Sequence, residues 1–508
     1  MARFIARRLA LALGTLLILS FLMYGLLEFA LDPLVDLREN PAPNRDEQIA
    51  TRVRLLNLDL PWYQRYFLWL GNFVQGDFGI AWRTMQPVGQ MVRGAIATSV
   101  QLVLAATVIS ILLGVTIGIV SALRQYTSFD YVITFVSFLL YSLPIFWVAV
   151  LLKQFLAIGA NDYLQDPTIN WPLVVTLSVV SGLFWAGALG GRRQKQLRVF
   201  GVALAASFAV LVLTLVTGWV ENPSIGIAGI AVLSAVFAAA TNAIFAGTSN
   251  RRALYAALTT AVVGTITWWP LQWLYHYWEM SWGWMFGLLA VAFAVAALIG
   301  WLFGGPDRNI SIRGAMITAL FVSVLIFVDR VLQTWGPYNA APQIRGRPVA
   351  TIGATTPGLQ ADFWMEQLDK ATHLVLPTMA LVMISFATYV RYQRGAMLEV
   401  LNQDYIRTAR SKGLSERVVI VRHALRNALM PLASIVPVDF ITLIGGAVIT
   451  ETIFGWAGMG RMFLTSLGGQ EVDPVMFYIM LTGGLAMIAN LVADFLYAVI
   501  DPRIRVNA

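Results

Sequence analysis

Apolar residues in this chain arrive in blocks of about 20, the length that crosses a ~30 Å hydrocarbon layer at 1.5 Å per residue. A stretch of that kind commits its backbone to helix, because lipid offers no partner for a free N–H or C=O. The blocks recur along all 508 residues. Charged residues make up only 12% of the chain, about half the ~25% usual in soluble domains, and mean hydropathy is +0.70. No soluble core could enclose so much apolar surface. The expectation is an all-α polytopic membrane protein.

Several chemistries are excluded at once. There is no cysteine, so disulfides, thiolate metal sites and cysteine nucleophiles are absent. His276, His373 and His423 are far apart and never in HExxH. None of Lys153, Lys195, Lys370 and Lys412 follows a glycine, so there is no GxxxxGK[ST] phosphate loop and no ATP site of that type in this chain. No catalytic and no metal-ligating set is expected, and no cofactor. The net charge of +8 points to no nucleic acid, because the basic residues lie in loops between spans, where the positive-inside bias accounts for them.

The first span, through Leu31, follows Arg3, Arg7 and Arg8; it is too long for a signal-peptide core and is read as retained, with its N-terminus cytoplasmic. Further spans are predicted near 99–121, 130–158, 172–190, 199–220, 224–247, 253–275, 283–304, 314–335, 373–393, 431–452 and 475–500. That makes twelve, with both termini cytoplasmic. Predicted inside segments carry Arg124, then Arg192, Arg193, Lys195 and Arg198, then Arg251 and Arg252, then Arg308 and Arg313. The short outside loops near 159–171, 221–223 and 276–282 carry no Lys or Arg. Two outside segments are long. In 32–98, Trp62, Tyr66, Trp69, Leu70 and Phe73 repeat at helical spacing and read as an amphipathic helix in the outer interface. The proline-rich 336–372 reads as an irregular external loop.

One large inside loop, 394–430 with Arg391 just before it, reads DYIRTARSKGLSERVVIVRHALRNALMP at its core. Gly413 divides it into two helical pieces, and Ser415 with Glu416 starts the second as a cap and a first-turn acid. Val418, Val421, Leu425 and Leu429 make an apolar stripe opposite the arginines. Periodicity alone leaves two readings open: a helix that docks into a cytoplasmic partner, or a solvated basic loop that only orients the chain.

This stretch resembles the cytoplasmic coupling loop of ABC-importer permeases, in the Arg-Thr-Ala-x-x-x-Gly form of the dipeptide/oligopeptide (and nickel) family, matched by Arg407, Thr408, Ala409 and Gly413. HALRNALMP (423–431), SLPIFWVAVLL (142–152), GGAVITETIFGWAGMGRM (445–462), NLVADFLYAVIDPRIR (490–505) and the external LPWYQRYFLWLGNFVQGDFG (60–79) are similar to that family too. The resemblance implies a type I importer permease core of six spans, of the B-type subunit. Residues 1–158 would form its first part, with external loop 32–98, and 371–508 its second. Residues 159–370 would be an inserted membrane region of about six extra spans. An even number leaves the coupling loop inside.

The same resemblance implies a heterodimer with a second, C-type permease, two cytoplasmic ABC ATPases holding ATP and Mg, and an extracytoplasmic substrate-binding protein. The setting would be a prokaryotic cytoplasmic membrane and its lipid, and the cargo peptides, with nickel, haem or another small solute as the alternative. Arg407, Thr408, Ala409, Arg410, Lys412, Gly413 and Leu414 would contact the ATPase. Asp439, Glu451 and Asn490 are candidates for the substrate pathway, since polar groups inside a membrane are costly. Asp329, Arg330 and Lys153 are read as lying near outer ends, where snorkelling suffices. A secondary transporter would show matching halves, and none is visible.

Overall fold

A computed structural model describes residues 2–39, 44–247, 250–305 and 308–500. The tail 501–508, with the end of the NLVADFLYAVIDPRIR block and the C-terminal side, lies outside the described residues. The described chain is nearly all helix; its strands are the two-residue pair Ile80–Ala81 and Gln86–Pro87. Twelve described segments are long and apolar enough to span a membrane.

In chain order, α1 is Ala2–Ala30, α2 Trp62–Val74, α3 Val88–Leu123, α4 Ser128–Ser142 and α5 Ile145–Gln165. Then come α6 Trp171–Leu189, α7 Arg193–Val216, α8 Gly226–Phe245, α9 Arg251–Tyr277, α10 Trp282–Gly304 and α11 Arg308–Gln333. The last third holds α12 Phe363–Leu401, α13 Asp404–Ser411, α14 (Glu416 to Ala428, with a π-helical turn at Val419–Ala424), α15 Met430–Gly446, α16 Val448–Phe454, α17 Met459–Gly468 and α18 Val472–Ile500.

The structure differs from expectation in three respects. Helices α3 and α12 have 36 and 39 residues. At 1.5 Å per residue they reach about 54 and 58 Å, well past the hydrocarbon. Their extra turns are polar enough to leave no hydropathy signal. The predicted span 130–158 is broken at Leu143 (ψ 127°), which precedes Pro144 and is held out of the helical region by it. The span that meets the length for crossing is α5. Finally, helix α2 does not lie free in the interface. Tyr66 and Trp69 bury against Tyr24 and Leu27 of α1 and Val475 and Met476 of α18, and Arg65 pairs with Glu28.

The central contact is α3 against α12. A Cβ on Gly114 would stand 2.5 Å from the Cβ of Tyr389, and one on Gly118 would stand 2.9 Å from that of Gln393. Small residues let two backbones approach this closely without a hydrophobic drive from water.

Helices α6–α11 form a peripheral group. Hairpin α6–α7 rests on α4, where Gly187 faces Val132. Helices α8–α11 share a core with the outer end of α12, in which Val322 and Ile326 meet Trp364 and Leu368. The chain leaves for this group and returns from it at one place. Asn161 donates to the Val349 carbonyl at 2.8 Å and accepts from its N–H at 3.0 Å. Four residues further out, Gln165 reaches Arg345 O at 3.5 Å.

Candidate functional site

Helix α13 is the amphipathic piece ahead of Gly413. Ile406 and Ala409 point inward, 0% and 5% exposed, and pack with Ala122 of α3, Met397 of α12, and Val419, Ala424 and Ala428 of α14. Arg407, Thr408, Arg410, Lys412, Gly413 and Leu414 are exposed. The small side chain of Ala409 therefore serves the seating of α13 on its own chain, not an outward approach. Gly413 has φ +75°, the left-handed region that only glycine adopts without strain. A Cβ there would meet nothing within 4 Å, so the ground in front of it is open.

Two local readings need correction. Ser415 has an extended N-cap backbone but makes no capping hydrogen bond; Glu416 is held instead by Arg410, at 2.6 and 3.2 Å. The buried stripe of α14 is Val419, Ala424 and Ala428, not Val418, Val421, Leu425 and Leu429, and Val421 is exposed. The π-helical turn inserts one residue and rotates the face.

Beneath this surface lies a clamp that periodicity could not reveal. Arg394 of α12 holds Asp130 of α4 with two parallel bonds, Nε to Oδ1 at 2.6 Å and Nη2 to Oδ2 at 2.7 Å. Ser121 Oγ (2.6 Å) and the Tyr126 N–H (3.1 Å) complete the carboxylate. The end of α3, the start of α4 and the end of α12 are thus tied at the level of α13. A bidentate guanidinium–carboxylate pair fixes geometry as well as charge.

The same side also receives the peripheral group. Arg417 of α14 donates to the carbonyl of Ile244 in the last turn of α8, the negative end of that helix dipole. Gly190, at the α6–α7 turn, sits over Ser128 at the start of α4. The α6–α7 turn, the end of α8 and α13 therefore share one face of the protein. That agrees with an even number of crossings between α5 and α12.

The intramembrane polar groups separate into distinct situations. Glu451 is fully buried and occupied: Ser99 Oγ donates to it at 2.6 Å, the Arg461 N–H at 2.9 Å, and Met459 N–H donates to Ser99 Oγ at 2.8 Å. Its carboxylate caps the start of α17 and pins α16–α17 to α3. Asp439 of α15 is half-buried beside Tyr389, whose hydroxyl makes no hydrogen bond of good geometry among the described residues. Asn490 of α18 is exposed on the outer surface of the chain. Gln393, wholly buried at the α3–α12 contact, has neither amide atom paired among the described residues.

Asp329 is not a snorkelling group. It is 0% exposed and accepts from the N–H groups of Ile225 (2.7 Å) and Gly226 (2.9 Å), from Trp268 Nε1 (2.8 Å) and from Gln333 Nε2 (2.9 Å). It joins α8, α9 and α11. Asp329→Ala would orphan these donors, at about 1–3 kcal/mol for each that stays buried. We expect that variant to lower the unfolding temperature of the purified protein far more than Asp439→Ala does, and Asp439→Ala to change uptake at unchanged stability. An Asp329→Ala protein as stable as the parent would contradict the anchor role.

Twelve apolar segments among the described residues, a tightly packed α3–α12 centre and a basic helix seated against it define a multi-pass helical membrane protein. Residues 243–506, just over half of the chain, match the family described as binding-protein-dependent transport system inner membrane component. The chain belongs to that family. The matched range begins at 243, inside the segment 159–370.

Among its relatives, the oligopeptide transport system permease protein OppB of Mycobacterium bovis is 35% identical over 225 residues, 43% of this chain and 69% of the relative. The dipeptide transport system permease protein DppB of Escherichia coli strain K12 is 44% identical over 138 residues, 27% of this chain and 41% of the relative. The oligopeptide transport system permease protein AppB of Bacillus subtilis is 44% identical over 136 residues, 27% of this chain and 43% of the relative.

Proposed function

We propose that this chain is the B-type permease of an ATP-driven importer that carries peptides inward across the cytoplasmic membrane. Its partners would be a C-type permease, two ATPases that hold ATP and Mg, and an extracytoplasmic binding protein that selects the cargo. Support for peptides comes from the relatives, which are oligopeptide and dipeptide permeases.

The observation that carries the coupling role is the division of α13 into two faces. Ile406 and Ala409 fasten it to α3, α12 and α14, while Arg407, Thr408, Arg410, Lys412 and Leu414 are left uncovered around the open turn at Gly413. A rigid connection on one face and a free surface on the other are what a helix needs to pass a partner's closure to the spans. Asp439, Tyr389 and the exposed Asn490 would then belong to the side facing the pathway and the second permease.

Gly413→Pro tests this. Proline fixes φ near −65° and removes the N–H that bonds Arg410 O at 2.9 Å, so the turn cannot form as it stands. We expect normal insertion, at least a tenfold loss of uptake, and ATPases that no longer co-purify. Uptake at the parental rate, with normal expression, would reduce α13 to a topological anchor. Orientation is checked separately: reporters at 195, 251, 310 and 410 should read cytoplasm, and those at 165, 222, 279 and 350 outside. An external signal at 195 or 251 breaks the twelve-span arrangement.

A further inference from the structure

Helix α7 of the α6–α7 hairpin has the least protein cover of the twelve described spans. Gly182 lies under Phe200, and Ser181 and Ser207 share a hydrogen bond of 2.7 Å, so the two helices meet closely at their middle. Beyond that, α7 has no buried residue at all. Beside that contact lies an open groove of about 400 Å³, lined by Trp185, Leu189, Val202 and Ala206. Arg198 lines the same groove.

Four cations stand at that end: Arg192, Arg193, Lys195 and Arg198, all exposed and none with an ion-pair partner among the described residues. No acid occurs between Asp166 and Glu221, and both of those lie at the opposite end of the hairpin. Orientation alone accounts for cations in a loop. It does not account for an apolar slot that begins at Arg198 and runs along the helices into the bilayer. Nor does it account for Trp185 at its rim, the residue type that settles at headgroup depth.

We propose that the α6–α7 groove binds an anionic glycerophospholipid of the leaflet on the α13 side. The phosphate sits among Lys195, Arg198 and the turn arginines, and an acyl chain lies along Val202 and Ala206. Basic pockets between spans on the cytoplasmic side favour such headgroups, and each cation near an anionic lipid surface contributes about fivefold in affinity. The lipid supplies to α7 the second packing surface that protein does not. This inference does not rest on what the permease carries.

The test uses the full chain, purified in detergent and supplied with phosphatidylglycerol or phosphatidylcholine, with retained lipid counted by native mass spectrometry. The parent should hold phosphatidylglycerol in preference to phosphatidylcholine. Lys195→Gln with Arg198→Gln, which keeps Arg192 and Arg193 for orientation, should weaken that retention roughly 25-fold, two cations at fivefold each. Val202→Trp fills the groove with every cation intact and should also release the lipid. Soluble glycerol phosphate should not compete, because it lacks the chain. Equal retention of the two lipids by the parent overturns the proposal, and so does competition by glycerol phosphate. If the double variant fails to insert, Val202→Trp decides alone, and parental retention there means that the cations only orient the chain.

Discussion

Arg394→Ala is expected to cost about 3–5 kcal/mol of stability and to abolish uptake, because it leaves the Asp130 carboxylate buried with no counter-charge. Ser121 Oγ and the Tyr126 N–H would still donate to it. Two neutral donors do not replace a guanidinium that grips both oxygens. The pair joins α12 to α4 just where α13 rests on α3 and α12, so its loss loosens the base through which motion at α13 would reach the spans. Removing both charges together separates the terms. Asp130→Leu with Arg394→Leu trades a buried ion pair for apolar contact, a change that is often close to neutral. The double variant should therefore be more stable than Arg394→Ala while uptake remains impaired. Unfolding in detergent, followed beside uptake in cells, reads both quantities. A single variant as stable as the parent would show that the clamp is solvated and idle.

What could be read from the sequence follows the physics of each element. The spans were legible because lipid imposes one requirement on roughly 20 residues at once, and no tertiary context overrides it. Helix α2 was legible in its period, since Trp62, Tyr66, Trp69 and Phe73 share a face, but that period cannot say whether lipid or α1 covers it. The family motif located α13 and its turn. It did not reveal that Ala409 faces inward, because a small residue suits an internal contact and a docking surface equally.

Most of the remainder was illegible because it consists of pairings across long sequence separations. Asp130 and Arg394 are 264 residues apart, and Ser99 and Glu451 are 352 apart. Asp329 looked like an outer-end charge by position along its helix, yet the helix it caps, α8, begins more than 100 residues earlier. The stripe of α14 slipped for a local reason, since a π-helical turn breaks the 3.6 period that the reading assumed.

Removing residues 166–340 and rejoining the flanks should give a smaller permease that still binds its ATPases, whereas removing five of the six spans should abolish binding. The spans outside 159–370 carry α13, Asp130–Arg394, the Glu451 cap and the α3–α12 contact, and among the described residues none of these takes a side chain from α6–α11. The ends to be joined already lie together, with Asn161 bonded twice to Val349 and Gln165 near Arg345, which is the geometry that tolerates insertion and excision. Losses are definable. Tyr338 no longer donates to Asp369 (2.9 Å), Trp364 and Leu368 lose their cover, and Arg417 loses the Ile244 carbonyl. Uncovered apolar side chains would meet lipid rather than water, so their cost is mainly lost packing and stays modest. Parity decides the rest. Six spans removed keep α13 on its side of the membrane, while five place it on the other, out of reach of any cytoplasmic ATPase. ATPase co-purification and uptake, measured for both deletions side by side, give the answer. A six-span deletion that inserts normally but neither binds ATPases nor transports would make α6–α11 part of the working core and not an addition to it.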